Sequence, residues 1–209
     1  MLKTLLNSRK TQPDISQLTI QQSNSFGRQC IRLGFGLTFG CASLLISCAD
    51  HNDVATPSAT VALVNTSGAS VGTAELTEDS KGMVTLKVSV KGLPAGIHGI
   101  HFHEVGVADP KSSPAFSSSG EHYNPASRKH GLENPDGTHA GDLPNLIVDS
   151  QGTGSLETTT NRITLSDGPT TLFDGNGSSL IIHASVDDQK TDPSGNSGGR
   201  IAGGVIVRK

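Results

Sequence analysis

Apolar and polar residues alternate with a period of two in many short segments from residue 60 onward. In the clearest segment, 83–90, every second residue is valine or leucine, and Thr85, Lys87 and Ser89 stand between them. Side chains of an extended chain point alternately to opposite faces, so this pattern predicts a strand with one buried face. Similar runs lie at 60–64, 71–76, 99–103, 146–148, 154–159, 179–184 and 203–207. Turn-forming residues separate the runs and no 3.6-residue stripe occurs, which predicts an all-β fold, an antiparallel sandwich or barrel of about eight strands.

Two long segments, 104–142 and 187–199, lack the strand pattern. The first is rich in Gly, Pro, Ser and Asn, a composition that by itself also fits a disordered segment. Structureless loops longer than about 12–15 residues are uncommon in compact domains unless they carry function. The histidines inside the first segment favour two functional loops.

Composition narrows the class of protein. Only 3% of residues are aromatic, and the formal net charge is −3. Because aromatic residues do not interleave with Lys or Arg, nothing resembles a nucleic-acid-binding surface. All three cysteines lie at or before position 48, so the rest of the chain cannot form a disulfide of its own.

The first 48 residues have the features of an export signal. Arg28 and Arg32 precede an apolar run at 33–46, which ends in Leu-Ile-Ser-Cys at 45–48 and resembles the lipobox of bacterial lipoproteins. A membrane-spanning anchor is the alternative, but 33–47 is shorter than the ~20 residues that a bilayer requires. The sequence predicts a signal peptide at 1–47, a tether at 48–59 and one domain at 60–209. We therefore expect an exported protein, anchored through a lipid on Cys48 at the periplasmic side of a bacterial membrane. The start codon and the choice of inner or outer membrane stay open.

Cleavage before Cys48 would remove five basic residues and one acidic residue, leaving 11 basic and 18 acidic groups and a net charge of −7.

Histidines cluster in the predicted domain. In the run Gly-Ile-His-Gly-Ile-His-Phe-His at 96–103, a strand would place His101 and His103 on one face and Ile100 and Phe102 on the other. A lone histidine here would be read as a hydrogen-bonded core residue, whereas two adjacent neutral imidazoles are typical metal ligands.

The longer loop adds His122, His130, His139 and Asp142, a four-ligand set of the kind that zinc accepts in tetrahedral geometry. His183 follows the apolar run 180–182. Metal binding would stabilise a loop that has little apolar residue content to bury.

Together these segments resemble a bacterial copper–zinc superoxide dismutase over about 60–207. The resemblance rests on the motifs at 99–104, 120–125, 130–131, 139–145, 182–184, 187–188 and 195–205. It implies a Greek-key, immunoglobulin-like β-sandwich with one copper and one zinc per chain.

The resemblance also implies the role of each site residue. The copper ligands would be His101, His103, His122 and His183. The zinc ligands would be His122, His130, His139 and Asp142, with His122 as a deprotonated imidazolate between the metals. Asp187 would hold one ligand of each metal in orientation, and His98 would be a structural histidine that ties the copper strand to its neighbours. In the family reaction copper alternates between two oxidation states and converts superoxide to O₂ and H₂O₂, with His122 delivering a proton.

Arg200 stands where the family has its substrate-guiding guanidinium, which matters because a net negative protein repels an anion. Lys190 could assist it, although a solvated loop lysine is the simpler interpretation. Most relatives have an intrachain disulfide, whose two positions correspond to Ala108 and Gly203 here.

Two functions follow from this sequence. The first is a lipid-anchored superoxide dismutase. The second is a copper- or zinc-binding lipoprotein that buffers metal and has little dismutase activity. The expected partners are superoxide and a membrane lipid, and a homodimer is one option that the sequence leaves open.

Overall fold

The structure, a computed structural model, describes residues 56–209. The predicted signal peptide, Cys48 and most of the predicted tether lie outside the described residues. Nine strands follow one another: β1 Ser58–Asn65, β2 Ser70–Glu78, β3 Val84–Lys91, β4 Gly96–His98, β5 Ile100–His103, β6 Leu146–Val148, β7 Thr153–Thr160, β8 Ser179–His183 and β9 Arg200–Arg208. The only helical element in this part of the chain is a 3₁₀ turn, Ser117–Ser119.

The nine strands form one antiparallel sheet in the order β4-β6-β7-β3-β2-β1-β9-β8-β5. The strands at the two ends of this order, β4 and β5, are joined by Gly99 alone, so the sheet curls into a nearly closed barrel. The all-β antiparallel prediction is confirmed.

The sequence pattern located eight strands and missed β4. This strand has three residues, too few for an alternation to be visible, and it pairs with β6 through Ile97 and Ile147. The next strand, β5, pairs instead with β8. The chain therefore changes its sheet neighbour at Gly99, where an added Cβ would lie 2.8 Å from the Cβ of Ser197.

The core lies inside the barrel. Every valine and leucine of β3 is buried, as the alternation predicts, and Leu86 of β3 stands opposite Leu76 of β2. Ile100 and Phe102 of β5 belong to the same apolar core and are fully buried. His101 and His103 consequently face the other side of this strand.

The predicted loops 104–142 and 187–199 are irregular but ordered by many backbone hydrogen bonds. Within residues 56–209 no helix has the length and apolar character needed to cross a membrane.

Candidate metal centre

The longer loop returns to β5 and lies along it by backbone pairing. Isolated bridges place His122 opposite His103 and Asp142 opposite His101. The main chain of Phe102 donates a hydrogen bond to Gly141 O (3.0 Å). A side chain at Gly141 would collide with the carbonyl oxygen of Phe102, so only glycine permits this close approach.

Four buried imidazoles form the first group, and their ligand atoms lie within 4.8 Å of one another: His101, His103, His122 and His183. One nitrogen of each ring is buried without a hydrogen-bond partner, namely His101 Nδ1, His103 Nε2, His122 Nε2 and His183 Nε2. Buried polar atoms without partners are rare because desolvation is costly. Four such nitrogens converging at one point are the donor set of a metal ion, and imidazole is a ligand that copper prefers.

The other nitrogens of these rings fix their orientation. His103 Nδ1 donates to Gly120 O (3.0 Å), and His183 Nδ1 donates to Gly198 O (3.1 Å). These contacts leave Nε2 as the free nitrogen of both rings. His101 has the opposite arrangement, because its Nε2 contacts Asp187 Oδ2 at 2.8 Å.

The second group has the spacing of a tetrahedral zinc site. Asp142 Oδ1 lies 3.0 Å from His130 Nδ1 and 3.3 Å from the Nδ1 atoms of both His122 and His139. His139 Nδ1 is 3.4 Å from His122 Nδ1. Ligands about 2.0–2.1 Å from a tetrahedral zinc are about 3.3–3.4 Å apart. These four residues therefore fit zinc.

A further grouping within 4.8 Å contains His101 together with His122, His130 and Asp142. His101 has one free nitrogen, since Asp187 engages the other. That nitrogen can serve a single ion, and the contacts of His139 complete the second group without it.

Asp187 connects the two groups. Its carboxylate contacts His101 Nε2 and, at 3.0 Å, His130 Nε2. Asn145 holds the main chain of Asp187 from both sides, because its amide donates to Asp187 O and its Oδ1 accepts from Asp187 N, each at 2.9 Å. Gly195 leaves room for the carboxylate, since a side chain there would collide with Asp187 Oδ1.

Burial keeps the first group neutral. The pKa of His101 falls to about 3 and that of His183 to about 4, chiefly because desolvation disfavours the charged rings, and neighbouring imidazoles act in the same direction. Desolvation likewise lowers the pKa of His103 and His122. Because metals bind neutral imidazole, these nitrogens are ready for a cation at neutral pH.

His130 behaves differently because it lies between two carboxylates. Burial disfavours its charged form, but hydrogen bonds to Asp142 and Asp187 outweigh that effect and raise the pKa of His130 to about 9. Burial acts to raise the pKa of Asp142 and Asp187, yet hydrogen bonds from the histidines keep both well below the ordinary value.

Arg200 is held beside the first group at the start of β9. It donates from Nη1 to Phe116 O (2.7 Å) and Ser119 Oγ (3.0 Å), and from Nη2 to Gly120 O (2.6 Å). Burial lowers the pKa of Arg200 and the charge of Glu121 opposes this, but an arginine stays charged at neutral pH. Arg200 lines a cavity of about 240 Å³ with Pro114, Ala115, Ser117, Gly198 and Gly199.

Two other sequence predictions have structural outcomes. His98 contacts two carbonyl oxygens, Nδ1 with His183 O at 2.8 Å and Nε2 with Pro94 O at 2.9 Å, so it ties the ends of β4 and β8 together. Lys190 forms an exposed ion pair with Glu133 (2.9 Å), which agrees with the simpler interpretation of this lysine.

Phe116 lies closer to Gly203 than Ala108 does, although the resemblance pairs position 203 with position 108. The three atoms nearest to a Cβ built on Gly203 belong to Ile181, Phe116 and Leu180. Phe116 is the loop residue that lies beside this glycine, and it comes eight residues after Ala108 in the chain.

Sequence reasoning missed several residues that support the site. Phe116, Ser119 and Gly120 hold Arg200 mainly with main-chain carbonyls, for which no sequence signal exists. Arg162 donates to the main-chain oxygen of Asp142 (2.5 Å), also without a recognisable motif. The amide of Asn145 lies within the 139–145 segment, whose similarity to the family was the one available signal.

Comparison with known proteins agrees with this geometry. Residues 70–206 match the family described as Copper/zinc superoxide dismutase (SODC). The chain is 43% identical over 165 residues to Superoxide dismutase (Cu-Zn) 2 of Aquifex aeolicus, covering 78% of this chain and 92% of the relative. It is 40% identical to Superoxide dismutase (Cu-Zn) of Caulobacter vibrioides, covering 71% and 85%. A crystal structure of a double mutant of a SOD-like protein from Bacillus subtilis superposes with a TM-score of 0.66 at 39% identity, covering 71% of this chain and 96% of that one. The chain belongs to the copper/zinc superoxide dismutase family.

Proposed function

We propose that this protein converts two superoxide anions and two protons into O₂ and H₂O₂. The observation that carries the proposal is the set of four buried imidazole nitrogens without partners, together with Arg200, whose guanidinium shares the acceptor Gly120 O with the ring of His103. Copper bound by these nitrogens would supply the one-electron oxidation and reduction that the reaction requires, and zinc, which is redox-inert, would be structural.

The proposed copper ligands are His101, His103, His122 and His183, and the proposed zinc ligands are His122, His130, His139 and Asp142. His122 belongs to both sets because its Nε2 is free among the first group and its Nδ1 lies 3.3 Å from Asp142 Oδ1. A ring that uses both nitrogens must lose its second N–H proton, and two dications favour that loss.

The chain's own groups have two further tasks. Arg200 would bind and orient the small anion, because its guanidinium lies close to the first group, sharing the acceptor Gly120 O with His103. His122 would hold a proton at Nε2, the nitrogen that faces the other three imidazoles of the first group. It would pass this proton to the reduced product.

The metal-buffering alternative is less favoured. A storage site needs the ligands but has no use for an oriented guanidinium, and Arg200 makes three hydrogen bonds with donor–acceptor distances of 3.0 Å or less. Dismutase activity per bound copper separates the two functions.

The test compares Arg200→Gln with Lys190→Gln in metal-loaded protein. Both changes remove one positive charge, but Lys190 is exposed and paired with Glu133. Electrostatic guidance raises association rates by about 10–10³-fold. We expect Arg200→Gln to lower kcat/KM at least tenfold and to flatten its dependence on salt, with little change in Lys190→Gln. Copper-loaded protein without dismutase activity would refute the proposed function.

We further propose that the mature protein begins at Cys48 and is held by a lipid at the periplasmic side of the membrane. Support comes from the lipobox-like sequence at 45–48. Cys48→Ser should move the protein from the membrane fraction to the soluble periplasm, and an unchanged distribution would contradict the anchor.

Association into a homodimer stays a prediction, which sedimentation analysis would test.

A further inference from the structure

Phe116 is the one buried apolar side chain between Glu104 and Glu121 in the described loop. It precedes the 3₁₀ turn with a backbone φ of 60°, a conformation that is unusual for a bulky residue. Its ring is fully buried. A bulky residue in this conformation persists only where surrounding contacts hold it.

The ring of Phe116 lies beside Gly203 on the outer face of the sheet. His101, Ile181 and Gly203 are register partners across β5, β8 and β9 and so share one face. A Cβ on Gly203 would lie 3.2 Å from Cδ1 of Phe116 and 2.5 Å from Cδ1 of Ile181. The absent side chain of Gly203 leaves the space into which the phenyl ring fits.

The turn that follows Phe116 carries every hydrogen-bond acceptor of the Arg200 guanidinium. Nη1 contacts Phe116 O and Ser119 Oγ, and Nη2 contacts Gly120 O. Ser119 Oγ also donates to Phe116 O (2.8 Å), which ties the two acceptors together. Gly120 O accepts from His103 as well, so the same turn orients Arg200 and one imidazole of the first group.

We propose that Phe116 is the positioning residue of Arg200: its ring, packed into the space above Gly203, fixes the turn whose oxygens orient the guanidinium. This inference rests on the proposed role of Arg200. No cysteine follows Cys48, so no disulfide within residues 56–209 can do this work. This contact acts together with backbone hydrogen bonds and with side-chain hydrogen bonds of the loop, such as Asp109 N to Ser118 Oγ (3.0 Å).

The experiment measures the affinity of azide, an anionic ligand of Cu(II), by absorption titration of copper- and zinc-loaded variants. Phe116→Ala should weaken azide binding about tenfold and flatten the salt dependence of dismutation, whereas Phe116→Leu, which keeps an apolar side chain, should stay within about twofold of the wild type. Leu86→Ala is the matched control, because it empties a fully buried site three strands away from β9. It should lower the melting temperature and leave azide affinity unchanged.

Combining the changes separates positioning from general damage. In an Arg200→Gln background, Phe116→Ala should cause no further loss of azide affinity. An equal loss in both backgrounds, or an unchanged affinity in Phe116→Ala, would overturn the inference. Arg200→Gln alone tests the proposed role of Arg200. A failure of that role is therefore distinguishable from a failure of the positioning role of Phe116.

Gly203→Ala provides a second route should Phe116→Ala fail to fold. The added methyl group would lie 2.5 Å from Cδ1 of Ile181 and 3.2 Å from Cδ1 of Phe116, so both side chains must shift and azide affinity should fall although Phe116 is retained. Unchanged affinity with the variant folded and fully loaded with metal would equally overturn the inference.

Discussion

Zinc binding to the metal-free protein should release nearly a full proton at pH 8, because His130 is protonated there. Asp142 and Asp187 raise the pKa of this imidazole to about 9, and zinc requires its neutral form. A group with that pKa is about 90% protonated at pH 8. Three ordinary imidazoles, each with a pKa near 6.5, would together release only about 0.1 proton.

Protons and zinc compete for the ring of His130, and this competition makes zinc affinity depend on pH. As the pH rises from 7 towards 9, fewer protons compete with zinc at His130, so the apparent dissociation constant should fall about tenfold between pH 7 and 8 and about fivefold between pH 8 and 9. Above about pH 9 this dependence should level off, because His130 is then already neutral.

Isothermal titration calorimetry with one equivalent of zinc, in buffers of different ionisation enthalpy, measures the proton count directly. Asp187→Asn is the informative variant, since it keeps the shape of the side chain but removes one of the two charges beside His130. Its proton release should be smaller than that of the wild type. A wild-type value near 0.1 at pH 8 would refute the reasoning.

Three further predictions concern support of the site and the fold. Gly195→Ala should lower zinc affinity about 10–100-fold, because its methyl group would collide with Asp187 Oδ1. Gly199→Ala is the control and should leave zinc affinity unchanged, because no atom lies within 4 Å of the new Cβ. Glu78→Ala should destabilise the protein by about 2–3 kcal/mol without changing its metal content, because buried Glu78 accepts hydrogen bonds from Leu165 N (2.6 Å) and Ser166 N (2.7 Å). Chemical denaturation measures this loss of stability, and Glu75→Ala, at an exposed glutamate, is the control. The melting temperature of the metal-loaded domain should not respond to reductant, because no cysteine follows Cys48; a large decrease would contradict this.

The sequence was most informative where local pattern determines structure. Alternation in 83–90 predicted β3 because the pleat alone decides which side chains face the core. The same rule separated His101 and His103 from Ile100 and Phe102, and the core confirms this division.

What could not be predicted depends on distant main-chain contacts. The acceptors of Arg200 are mostly carbonyl oxygens, which every residue has, so no residue type marks them. The residue that packs against Gly203 was also beyond sequence reasoning, because a long loop of irregular backbone sets which side chain reaches that glycine. The resemblance pairs Gly203 with Ala108, whereas Phe116 lies nearer to Gly203 in the structure.

The most direct measurement is anomalous X-ray diffraction, at the copper and zinc absorption edges, from crystals of metal-loaded protein. It should show two ions on opposite sides of the His122 ring, copper with His101, His103 and His183, and zinc with His130, His139 and Asp142. A single ion, or a His122 ring that contacts only one of two ions, would contradict the shared centre on which the proposed function rests.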